Sequence, residues 1–262
     1  MKRYPSLALW AGLIASPFAM AAPEARSLAW EIDGQRFEGA LIHDPAQPAS
    51  AALVLVPNWM GVNASAIEKA MAIASRGYTV LVADVYGAET RPGSVDEASA
   101  AAQAMYADRP LLRARVGAAV DQLKAQATAA GFDASRIGAI GFCFGGTTVL
   151  ELARSGRDDI AGAVSFHGGL GTSLPAQPGQ VAVPALVLNG ADDPWVSAEE
   201  ITGFQQEFTA AGADWQFVNF SGAVHCFAEP DASMPPGCAY HERSARRAFR
   251  MMDDFFAEAF GG

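Results

Sequence analysis

The stretch Ile137-Gly138-Ala139-Ile140 followed by Gly141-Phe142-Cys143-Phe144-Gly145-Gly146 decides the fold. Four residues of buried-strand character run straight into a glycine-flanked cysteine, and a helical pattern from about Gly146 to Arg154 follows at once. A cysteine at a sharp strand-to-helix turn stands above the sheet, and only glycine at the flanking positions lets backbone and helix pack that closely. The helix N-terminus aims its amides at the same side chain, which favours a thiolate. A plain buried cysteine beside a glycine-rich turn is the bland alternative, and the strand and helix on either side argue against it.

Outward from this turn, strand and helix signals alternate. Leu28 to Ile32 and Gln35 to Leu41 flank Asp33-Gly34, the dipeptide of a tight hairpin turn. Ala52 to Val56 is apolar on both faces and predicts a central parallel strand. A helix follows from Ser65 to Ser75, ended by Gly77, and then a second buried strand, Thr79 to Ala83. Val95 to Ala130 predicts two helices broken at Asp108-Arg109-Pro110. The strand Ile160 to Phe166, the strand Ala185 to Asn189, a helix from Ala198 to Ala211, the strand Trp215 to Phe220 and a last helix from about Tyr240 to Phe260 complete the pattern. Strands alternating with helices imply an α/β fold with a mostly parallel sheet covered on both faces.

The termini of those strands supply partners for Cys143. In this architecture sites sit at strand C-termini, and a triad follows in the order nucleophile, acid, histidine. Gly190-Ala191-Asp192-Asp193-Pro194 comes after one strand and Gly222-Ala223-Val224-His225 after the next, giving Asp193 as the orienting acid and His225 as the base. Asp192 remains the alternative acid; Asp193 is preferred by its spacing of three from Gly190. His167, at the end of its own strand, is a rival expected to line the pocket or bond to backbone, whereas His43 and His241 read as surface residues. Backbone N–H groups of Phe144 and of Trp59, in the loop Pro57-Asn58-Trp59-Met60-Gly61, are the expected oxyanion donors.

These motifs together resemble the dienelactone hydrolase family of the α/β-hydrolase superfamily. The resemblance is carried by PNWMG from Pro57, RGYTVLVADVYG from Arg76, IGAIGFCFGG from Ile137, VSFHGGL from Val164, LVLNGADDPWV from Leu186, and GAVHCF from Gly222 followed by AYHERSARRAF from Ala239. It implies a Cys-His-Asp triad acting on small esters or lactones through an acyl-thiol intermediate, with no metal or organic cofactor. Two departures bear on substrate. Asn58 stands where the family pattern carries a Glu that contacts the thiol, and Ala88 and Glu229 stand where members that bind a carboxylate use arginines, beside Tyr86 and just after the histidine. A neutral ester, lactone or thioester is therefore expected, in a pocket formed with Asn58, Tyr86 and His167. A catalytically weakened small-molecule binding protein is the alternative that Asn58 raises.

Residues 1–21 look like a secretory signal peptide: Lys2 and Arg3, an apolar run from Leu7 to Met20 interrupted by Pro17 and too short to span a bilayer, and Ala19 and Ala21 at a cleavage site. Residues 22–262 then form a single domain, exported to the periplasm or secreted. The formal net charge of −10, more negative once Lys2 and Arg3 are removed, disfavours nucleic acid and anionic lipid as partners. Of three cysteines, Cys226 and Cys238 flank a loop holding Pro230, Pro235, Pro236 and Gly237, and in an oxidising compartment they are candidates to pair. The alternative is a small pocket residue and a surface thiol.

Overall fold

The structure is a computed structural model and describes residues 23–44 and 49–261; the signal peptide expected at 1–21 lies outside them. The chain opens with β1 (Glu24–Ile32) and β2 (Gln35–His43), an antiparallel hairpin whose turn puts Asp33 and Gly34 at φ 50° and 78°. Positive φ at both central residues matches the strand twist, and Asp-Gly tolerates it. After the hairpin come β3 (Ala51–Val56), α1 (Ala64–Ala74), β4 (Tyr78–Val82), α2 (Val95–Ala107), α3 (Arg109–Ala125), a four-residue α4 (Ala127–Ala130), β5 (Ile137–Phe142) and α5 (Phe144–Arg154). The chain continues through β6 (Ala163–Phe166), β7 (Ala185–Gly190), α6 (Ala198–Ala210), β8 (Trp215–Phe220), the two-residue strands β9 (Ser233–Met234) and β10 (Cys238–Ala239), and α7 (Glu242–Ala259).

Eight strands form one sheet in the order β1-β2-β4-β3-β5-β6-β7-β8. The first two strands are antiparallel to their neighbours, and from β4 to β8 every pairing is parallel. The double-sided burial of β3 has a simple expression in the core: Ala52, Val54 and Val56 join the layer containing α3, α5 and α6, while Leu53 and Leu55 face α1 and α7. This is the α/β-hydrolase arrangement expected from the alternation of elements. The break at Asp108 is a helix start, since its side chain accepts a bond from Leu111 N at 3.0 Å and Pro110 occupies the first turn of α3.

Several element boundaries differ from the expectation, among them that of β1, which begins at Glu24 rather than Leu28. β5 runs on through Gly141 and Phe142, which pair with Ser165 and Phe166, because glycine in a strand is no obstacle where neighbouring backbone approaches closely. β6 begins at Ala163 rather than Ile160. The hairpin β9–β10 was unforeseen: two residues per strand carry no readable alternation.

Candidate active site

Three strand ends converge on one cleft. Cys143 follows β5, Asp193 follows β7 and His225 follows β8, all at the carboxyl edge of the sheet. Cys143 has φ 54° and ψ −115°, a conformation costly for a non-glycine residue, and it is held by the packing of its neighbours. A Cβ on Gly141 would stand 2.0 Å from Gly145 O, and one on Gly145 the same distance from Val56 O. The turn therefore requires both glycines.

His225 is buried, and its Nδ1 lies 2.7 Å from Asp193 Oδ2. Asp193 Oδ1 accepts from Trp195 N at 2.9 Å, so both carboxylate oxygens have partners. Asp192 is exposed, and the carboxylate bonded to His225 is that of Asp193, the residue the spacing favoured. Burial disfavours the imidazolium, but the hydrogen bonds to Asp193 and Cys143 and the charges of both outweigh it, pushing the His225 pKa up to about 10. The arrangement holds a proton on His225 between an acid and the sulfur. The Trp195 ring meets His225 edge-on at 4.9 Å, walling off one side.

His167 does not share this role. It is fully buried, and its Nδ1 accepts from Cys143 N at 3.2 Å, which leaves the proton on Nε2. Burial, followed by the charge of His225, pushes its pKa well down, so it stays neutral. Its expected bond to backbone is present, but it stands behind the cleft wall because its ring is turned under the elbow. Tyr86 also differs from its expected place in the pocket: its hydroxyl donates to Trp59 O at 3.1 Å and its ring packs on Phe144 at 5.2 Å, so it braces the loop 57–61 from behind. His43 and His241 are half-buried and lie outside the cleft.

The cleft has two lobes that meet at Cys143. One, about 350 Å³, is lined by Trp59, Tyr106, Phe144, Trp195, His225 and Met234. The other, about 290 Å³, adds Asn58, Met60, Val95, Glu229, Asp231 and Ser233. Cys226 and Cys238 are joined as a disulfide with Cα atoms 5.1 Å apart, and both line each lobe. Tyr106, Trp195, Met234 and Lys69 were not foreseen as part of the site. Tyr106 had the pattern of helix core, and Met234 sits on the unpredicted hairpin.

Glu229 is 3% exposed and reaches Asn58 and Lys69. Burial raises its pKa, while Lys69 and then Asn58 oppose the rise. Asn58 thus turns its amide toward a carboxylate rather than standing in for one. Ala88 is not among the residues lining either lobe.

A parallel α/β sheet carrying Cys143, Asp193 and His225 in this order defines an α/β-hydrolase-superfamily protein. Residues 38–260 match the Dienelactone hydrolase family, and the chain belongs to that family and is a carboxylic ester hydrolase. It is similar to a solved structure named m3DLH at 35% identity and TM-score 0.83, covering 91% of this chain and 99% of that one. A dienelactone hydrolase-like promiscuous phosphotriesterase from metagenomic libraries matches at 34% identity and TM-score 0.81, over the same shares of both chains. The carboxymethylenebutenolidase of Pseudomonas putida is 29% identical over 205 residues, 77% of this chain and 84% of the relative. Among the described residues, no helix is long and apolar enough to cross a membrane.

The contacts of the two neighbouring aspartates predict unequal effects. Asp193→Asn is expected to lower kcat by about 10²-fold or more, because the amide can offer His225 the wrong hydrogen-bond partner, yet to retain more activity than His225→Ala. Asp192→Asn should remain near wild type. Steady-state kinetics of the pair checks both; a larger loss at residue 192 would displace Asp193.

Proposed function

We propose that the chain is an exported cysteine hydrolase that cleaves a neutral carboxylic ester or lactone through an acyl-thiol intermediate. The observation that carries this reading is the hydrogen-bonded line from Asp193 Oδ2 to His225 Nδ1, 2.7 Å long, with Cys143 on the other side of the histidine. Cys143 Sγ attacks the carbonyl carbon, and the oxygen that becomes negative is met by the N–H groups of Phe144 and Trp59. Collapse breaks the carbon–oxygen bond while His225 gives its proton to the leaving alkoxide. Neutral His225 then takes a proton from water, whose oxygen attacks the thioester, and collapse expels the thiolate, so that the carboxylic acid leaves with thiolate and imidazolium restored.

Charge selects the substrate. The larger lobe is aromatic, and the smaller holds Glu229 and Asp231, with Lys69 already paired to both. Among the described residues, neither lobe offers an unpaired cation for a carboxylate, which favours a neutral substrate with an apolar group. The binding-module alternative gains nothing from Asn58, whose amide has partners unrelated to the sulfur. Residues 1–21 and the Cys226–Cys238 bridge support export.

The test is turnover of p-nitrophenyl acetate before and after alkylation of Cys143, followed by matched neutral and anionic lactones. Expected are loss of turnover on alkylation and a kcat/KM at least about tenfold higher for the neutral lactone, a difference of about 1.4 kcal/mol. Turnover that survives full alkylation would remove the cysteine mechanism, and an anionic preference would remove the charge argument.

A further inference from the structure

Glu229 and Asn58 are far apart in the sequence, yet Asn58 Nδ2 donates to Glu229 Oε2 at 2.6 Å. The other end of the same amide is committed too, since Asn58 Oδ1 accepts from Met60 N at 3.1 Å and the Asn58 carbonyl accepts from Gly61 N at 2.9 Å. These bonds close the turn 58–61 around Trp59. An asparagine amide fits its density of contacts in either of two orientations, and only an acceptor beyond Nδ2 forces Oδ1 toward Met60. Glu229 is that acceptor.

Lys69 Nζ approaches the same Oε2 at 3.1 Å and also pairs with Asp231 Oδ1 at 3.0 Å, which fixes the carboxylate from the α1 side. The remaining oxygen, Oε1, is 3.9 Å from His167 Nε2, too far for a hydrogen bond. Glu229 lines the smaller lobe together with Cys143, but the partners that its oxygens face are Asn58, Lys69 and His167. A buried ion pair is a poor source of stability.

We infer that Glu229 is a positioning residue: by holding the Asn58 amide it sets the turn that presents Trp59 N–H to the oxyanion. This rests on the hydrolase reading above. Acyl transfer needs that donor, whereas alkylation of Cys143 by iodoacetamide develops no carbonyl oxyanion and does not.

Two conservative variants separate hydrogen bonding from charge. Glu229→Gln keeps an oxygen where Asn58 and Lys69 converge but removes the charge; Glu229→Asp keeps the charge but withdraws the acceptor by one methylene. With p-nitrophenyl acetate, Glu229→Gln is expected to keep kcat within about threefold of wild type and Glu229→Asp to lose about tenfold or more, the scale of a weakened oxyanion donor. The rate of iodoacetamide alkylation should stay within about twofold of wild type in both, as the sulfur and His225 are untouched. The reverse order, wild-type kcat in both, or alkylation falling in step with kcat overturns the inference. A wild-type protein with no Cys143-dependent turnover would fail the hydrolase reading itself, and active wild type with normal Glu229→Asp fails only this one.

Discussion

Replacing Cys143 with alanine is expected to lower kcat/KM for a short activated ester by on the order of 10⁴-fold or more, with a circular dichroism spectrum and melting temperature close to wild type. In the proposed mechanism the sulfur is the atom that bonds to the acyl carbon, so no neighbour can substitute for it. Stability should be little affected for three reasons. The residue is only partly buried, at the mouth of the cleft. Alanine at φ 54° meets the same backbone cost as cysteine. The elbow is held by Gly141, Gly145 and their backbone neighbours rather than by the thiol. His225→Ala should remove activity to the same degree but also destabilise, by about 1–3 kcal/mol, because it leaves buried Asp193 with one partner fewer. Equal effects on activity are expected since the two residues act as a unit. Ester hydrolysis by Cys143→Ala at the wild-type rate would place the nucleophile elsewhere.

Much of this site was legible because its members sit at strand ends, where local sequence reports position. Cys143 lies between glycines at the end of an apolar run, Asp193 stands three residues after Gly190, and His225 follows the strand after that; each signal is confined to a few neighbouring residues. The hairpin at Asp33-Gly34 was legible for the same reason, as two residues with positive φ leave a short list of amino acids. What was not legible depends on contacts across the fold. Nothing near Asn58 indicates that its amide faces Glu229, and nothing near Tyr86 indicates that its hydroxyl is spent on Trp59 O. Tyr106 shows the same limit, since the face of α2 that packs on Phe144 at 5.4 Å is also the face that reaches the cleft. Core and pocket have one hydrophobic signature in sequence.

Reducing the Cys226–Cys238 bridge, or replacing both residues with serine, is expected to cost about 3 kcal/mol of stability, the loop-closure value for a separation of 12 residues. In a domain of this size that is a fall in melting temperature of roughly 6–12 °C. The loss should extend to activity, for a reason visible in the backbone. Cys226 directly follows His225 and has φ 59°, so the bridge holds a conformation that few residues adopt unaided. His225 also forms a β-bridge with Cys238, and Ala239 N donates to His225 O at 3.1 Å, so the second half-cystine is tied to His225 by main chain as well as by sulfur. Freeing it loosens the histidine at its carbonyl and releases β9–β10, which carries Met234 into the cleft. The expected readout in the double serine variant is a fall in kcat of about tenfold, the size that a small misplacement of a catalytic group produces. Cys143 should still be alkylated in full, because the elbow packs independently of this loop. Peptide mapping without reductant should find Cys226 joined to Cys238 and only Cys143 open to alkylation in the native protein. Three alkylatable thiols in the native protein, or a double serine variant that melts and turns over as wild type does, would show that the loop between His225 and α7 keeps its shape without the bridge.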